Sequence, residues 1–139
     1  SNIMRILAID YGNKNTGFAL GENGFSMPLD QITTTSNATI VQKVQQLIKE
    51  ENIGKLIVGF PISYNNLKIQ KNLKDFITLL SKSVKLPIEL VGEDYTSKEA
   101  FTENFEKFSD IKHIKKIIHK TSAEKILQNY YLSNLKNTD

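Results

Sequence analysis

Near its start the chain carries Ile6-Leu7-Ala8-Ile9, four apolar residues in succession between Arg5 and Asp10, the mark of a short strand buried on both faces. Residues 11–15 make a connection of hairpin length, and a second strand is expected over 16–21, antiparallel to the first. Glu22-Asn23-Gly24 reads as another turn, followed by a third strand over about 27–34. Then the period changes. Ile40, Val41, Val44, Leu47 and Ile48 recur at the spacing of an amphipathic helix, with Ser36 or Asn37 as its cap and Gly54 as its end. Residues 55–60 predict a buried strand closed by Pro61. A helix follows between about 67 and 83, with Leu73, Phe76, Ile77 and Leu80 on one stripe, then a fifth strand over 87–92. Two more helices are expected, over about 97–108 and 121–135, the second with Ala123, Ile126, Leu127 and Tyr130 as its apolar face.

Strands separated by helices run parallel through right-handed crossovers. The expectation is therefore an α/β fold: a mixed five-stranded sheet, three antiparallel strands and then two parallel ones, with helices on both faces. That is the ribonuclease H-like order of elements. Ser1-Asn2-Ile3 stand ahead of Met4 and read as a cloning remnant, so a single domain is expected over 4–139.

Composition narrows the chemistry. With 139 residues one hydrophobic core can close without disulfides, and none is available because there is no cysteine. The same absence removes thiolate metal sites and the commonest covalent nucleophile. No apolar run approaches the length of about 18 residues that would suggest a membrane span, and no signal-peptide pattern opens the chain. A cytoplasmic protein without a membrane partner is expected.

The net charge of +3 is too small to identify nucleic acid as a partner, but its distribution is uneven. Between Glu89 and Asp110 seven acids face two lysines, whereas between Ile111 and Gln128 five lysines face one acid and accompany both histidines. An acidic segment followed by a basic one suits a metal site beside a phosphate-holding rim. Lys112, Lys115, Lys116 and Lys120 are the candidate phosphate contacts there. A solvated helix face is the plainer reading of such a run.

Asp10 closes an apolar strand, where an unpaired carboxylate costs several kcal/mol to bury and so calls for a partner or a cation. A local turn, with the carboxylate bonding into Asp10-Tyr11-Gly12, is the alternative. Glu93 follows Leu90-Val91-Gly92 at the end of the fifth strand, and the carboxyl ends of parallel strands gather at one edge. Its neighbour Asp94 points the other way if the chain stays extended. Two carboxylates meeting there repel unless a cation lies between them, and Mg²⁺ takes such oxygen ligands. A site of this kind can activate water for phosphodiester hydrolysis.

Here the motifs become specific. Asp10-Tyr11-Gly12-Asn13-Lys14-Asn15-Thr16-Gly17-Phe18-Ala19 resembles the opening Asp-Tyr-Gly-x-Lys-Arg-Ile-Gly-Val-Ala of the RuvX family, also called YqgF. Val58-Gly59-Phe60-Pro61 is similar to its Val-Gly-Leu-Pro turn, and Glu93-x-x-Thr96-Ser97-x-Glu99-Ala100 to its second acidic stretch. Ser122-Ala123-x-x-Ile126-Leu127-Gln128-x-Tyr130 resembles its last helix. The resemblance implies a metal-dependent nuclease acting in 5′-end maturation of precursor 16S ribosomal RNA. Structured RNA and the small-subunit precursor would then be its partners, with Mg²⁺ or Mn²⁺ as cofactor. An older label of the family, Holliday-junction resolvase, adds branched DNA as an alternative substrate.

Carried over residue by residue, Asp10 and Glu93 take the family's first two acidic positions, and Lys14 a phosphate-contacting one. The third acid normally lies seven residues before the isoleucine of Ile126-Leu127-Gln128, and that position is His119. Imidazole there would favour Mn²⁺ over Mg²⁺. A surface histidine is the plainer reading, and Glu124 is a fallback acid on a different helix face. Asn15 replaces the family's arginine, Gly92 replaces the aspartate before Glu93, and Ser63-Tyr64-Asn65-Asn66 lacks the usual glycine-containing loop. These departures motivate a rival reading, an RNA-binding ribosome-assembly factor that does not cut. The hairpin with Gly12 and Gly17 around Thr16 is also similar to the phosphate hairpin of actin-like ATPases, but a single domain cannot form their cleft.

Overall fold

The computed structural model describes residues 3–60, 67–92 and 122–136. Its elements run β1 (Arg5–Asp10), β2 (Asn15–Glu22), β3 (Phe25–Pro28), β4 (Ile32–Thr33), α1 (Asn37–Glu51), β5 (Ile53–Phe60), α2 (Leu67–Ser83), β6 (Ile88–Gly92) and α3 (Ser122–Lys136). The expected helix over 97–108 lies outside the described residues.

The sheet is mixed, in the order β3-β2-β1-β5-β6, with β4 paired to β2. Strand β1 is antiparallel to β2 and parallel to β5, and β5 is parallel to β6. Among the described residues six strands therefore stand where five were expected, because the third is broken. Pro28 has no N–H to carry a ladder onward, and the chain bulges by one residue between Ala19↔Pro28 and Thr16↔Ile32. Gly54 also has a different role from the one expected. Helix α1 ends earlier, with Asn52 in the left-handed conformation at φ 56, and Gly54 sits in β5 where the register with β1 shifts by one residue.

Side-chain alternation along β1 feeds two cores. Leu7, Ile9 and Tyr11 pack with Ile40, Val41 and Val44 of α1 and with Phe76 and Leu80 of α2. Ile6 and Ala8 face the other way, against Ala123, Ile126 and Leu127 of α3. Ser36 caps α1 by accepting from the Thr39 N–H at 3.2 Å. Helix α3 lies close on the sheet because its floor is small: Ala8, Ala19 and Gly21. A Cβ on Gly21 would fall 2.7 Å from both Leu127 and Tyr131. This close seat brings the first residue of α3 to the end of β1.

Candidate active site at the carboxyl edge of the sheet

Asp10 is the last residue of β1, and it continues the Ile6, Ala8 side of the strand, the side that α3 covers. The Tyr11 N–H donates to the Gly59 carbonyl at 3.0 Å, extending the β1–β5 ladder one step past Asp10. Directly across β2 from Asp10 is Gly17, across β5 is Gly59, and beyond Gly59 stands Val91 of β6. Both neighbours of the carboxylate within the sheet are thus glycines.

From α3 the Ser122 hydroxyl donates a hydrogen bond to the Asp10 carboxylate. Burial pushes the Asp10 carboxyl up from 3.8 to about 6, against the opposing pull of the Ser122 bond and of the Lys125 ammonium one turn along α3. The turn that follows is closed by other groups: the Gly12 N–H donates to Thr16 Oγ1 at 3.4 Å. The Asp10 side chain therefore answers to a partner from the far end of the chain and not to its own turn.

Tyr11 points to the opposite layer and is 4% exposed. Its ring stacks on Phe76 at 4.6 Å between centroids, and its hydroxyl donates to Asn37 Oδ1 at 2.7 Å and lies 3.2 Å from the Asn72 carbonyl. It ties the end of β1 to both α1 and α2. Gly12 allows the tight turn that follows, since a Cβ there would sit 2.2 Å from the Asn15 carbonyl oxygen.

Of the other expected site residues, Lys14 is exposed at the tip of the β1–β2 turn. Asn15, in place of the family's arginine, accepts from Thr33 Oγ1 at 2.9 Å and so serves the β2–β4 pairing. The single arginine, Arg5, is engaged at the other end of β1, 2.9 Å from Glu22 and 3.6 Å from Glu51. Glu124 lies in the first turn of α3, but Ser122 and Lys125 are the α3 groups that act on Asp10. Glu93, Asp94, Lys112, Lys115, Lys116, His119 and Lys120 lie outside the described residues. Among the described residues no three His, Cys, Asp or Glu side chains come together to hold a metal ion, and no helix is long and apolar enough to cross a membrane.

Sequence reasoning had not paired Ser122 with Asp10. The available signal was the Thr121-Ser122 helix start ahead of an apolar stripe, which gives the element but not its target.

The profile of the RuvX family, described as Holliday junction resolvase, matches residues 4–133. The chain belongs to the RuvX family. A protein of Lawsonia intracellularis provisionally named pre-16S rRNA nuclease is 30% identical over 131 residues, covering 91% of this chain and 92% of that protein. A Bacteroides fragilis protein of the same provisional name is 32% identical over 132 residues, with 91% and 94% covered. Among solved structures, Thermus thermophilus RuvC in complex with a Holliday junction superposes with a TM-score of 0.56 at 13% identity, over 69% of this chain and 72% of that one. That likeness shows the ribonuclease H-like fold.

Proposed function

We propose that this RuvX chain is a divalent-metal-dependent nuclease that hydrolyses phosphodiester bonds of nucleic acid, acting in 5′-end maturation of precursor 16S ribosomal RNA in the cytoplasm. The observation that carries the reading is the Asp10 carboxylate, held at the carboxyl edge of parallel strands, flanked by glycines and pushed to about 6 by burial. The provisional name shared by the relatives supplies the ribosomal RNA substrate.

The donor chemistry fits a hard cation. A half-buried carboxylate with one hydroxyl donor and one distant ammonium has its desolvation only partly offset, and a divalent ion with oxygen ligands offsets the rest. Asp10 and Glu93 would hold the ion, with His119 as third ligand. Glu93 follows directly on Gly92, the last residue of β6, and β6 ends at the same edge of the sheet as β1 with its Asp10. His119 precedes Ser122 by three residues, and Ser122 bonds Asp10. When bound, the ion supplies a water activated for attack and stabilises charge on the phosphate oxygens. Ser122 orients Asp10, Tyr11 fixes the backbone beneath it, and Lys14 with Lys112, Lys115, Lys116 and Lys120 holds phosphates of the substrate. Residues 4–139 act as one domain.

The rival, a ribosome-assembly factor that binds RNA without cutting, draws support from Asn15, whose side chain is bonded to Thr33 where the family carries a phosphate-binding arginine. Incubation with a structured precursor RNA and Mg²⁺ or Mn²⁺ separates the two. Cleavage that vanishes in Asp10→Asn is the expected result. RNA that binds equally to both proteins and is never cut would overturn the nuclease.

A further inference from the structure

Gly17 lies inside a strand, where glycine gives up more conformational freedom than any other residue and contributes no side chain to packing. Among the described residues nothing in the packing calls for it. The positive φ among the described glycines is at Gly24, so Gly17 has backbone angles that other residues adopt. A Cβ built on Gly17 meets one described atom within 4 Å, the Asp10 Cβ at 3.9 Å, an ordinary contact. Gly12 and Gly21 are different, because an added Cβ would strike the Asn15 carbonyl at 2.2 Å and the α3 side chains at 2.7 Å. Along β2 the side that α3 covers reads Gly17, Ala19, Gly21. The helix rests on the latter two, and Gly17 is the one left partly exposed beside the carboxylate.

We infer that Gly17 is a substrate-admitting residue: its missing side chain leaves the lane next to Asp10 through which the sugar-phosphate backbone of the nucleic acid reaches the carboxylate. The inference rests on the nuclease reading and deepens it. Phosphodiester hydrolysis requires the backbone of the substrate within coordination distance of groups on Asp10, and a flat floor of main chain permits that approach. Exposed Lys14, three residues earlier in the turn that leads into β2, stands where an adjoining phosphate of that strand can be met. A methyl group at position 17 occupies the lane without crowding any described residue, and an isopropyl group closes it.

The test compares the parent chain with Gly17→Ala, Gly17→Val, Asp10→Asn and, as a control at the opposite end of the sheet, Gly54→Ala. Melting temperature, Mn²⁺ affinity, RNA affinity and RNA cleavage are measured on each. Gly17→Ala should melt no lower than the parent and bind Mn²⁺ equally, yet cleave on the order of a hundredfold more slowly, as expected when a reacting phosphate is displaced by about 1 Å. Gly17→Val should also bind RNA more weakly, while Gly54→Ala cleaves like the parent. Cleavage by the parent but not by Asp10→Asn judges the nuclease reading separately. If the parent binds RNA without cutting it, that reading fails, and weakened RNA binding in Gly17→Val still upholds the lane. Parent-like RNA binding and cleavage in Gly17→Val overturn it, as does a Gly17→Ala protein that no longer folds.

Discussion

Replacing Asp10 by asparagine removes a charge that the fold holds at a cost. Burial raises its carboxyl from 3.8 to about 6, and at about 1.4 kcal/mol per pKa unit this difference corresponds to about 3 kcal/mol. The folded chain binds the proton more tightly than the unfolded one. Asp10 therefore contributes stability that is fully present below 3.8 and is lost as pH rises through about 6. The amide has no such dependence and keeps an oxygen to accept from Ser122. Water reaching the partly exposed side chain reduces the effect, so Asp10→Asn should raise the melting temperature at pH ~8 by on the order of 5 °C. At pH ~3.5, where both side chains are neutral, the two proteins should melt together. Thermal melts at these two pH values, in buffers without divalent ions, make the measurement. Adding Mn²⁺ at pH ~8 should then stabilise the parent and leave the variant unmoved. A variant that melts lower than the parent at pH ~8, or by the same margin at both pH values, would refute the argument that burial strains this carboxylate.

Two other substitutions have expected outcomes, one from the Tyr11 contacts and one from the proposed third ligand. Tyr11→Phe keeps the stack on Phe76 but loses the hydroxyl bond to Asn37, so a denaturant titration should find it less stable by about 1 kcal/mol. His119→Asp restores a third carboxylate and should shift the preference in a cleavage assay from Mn²⁺ towards Mg²⁺. Equal activity with both ions before and after that change would remove His119 from the ligand set.

Much of this fold was legible because its signals are local. The apolar run of β1, the helical stripes of α1 and α2 and the start of α3 each lie within one window of sequence, and the Leu67–Ser83 helix stands on its expected bounds. The misread boundaries share a cause. Asn52 and Gly54 both tolerate the turn that ends α1, and only the pairing of β5 with β1 decides that Gly54 belongs to a bulge. Pro28 signalled a break that the apolar neighbours Met27 and Leu29 concealed. At the site, Asp10 was legible as a carboxylate out of place on an apolar strand. The partner Ser122 was not, because their meeting depends on how closely α3 seats over Ala8, Ala19 and Gly21, a packing distance that no local pattern encodes.

Asp10 and Tyr11 are consecutive residues that commit to opposite layers of the molecule. The proposed catalytic acid is therefore levelled from beneath, by an aromatic ring wedged among helices on the opposite face of the sheet. Loosening those helices, by warming or by a substitution such as Phe76→Ala, would tilt the carboxylate without altering any group that meets the ligand. Activity in this protein should be sensitive to damage on the side of the sheet that faces away from its chemistry.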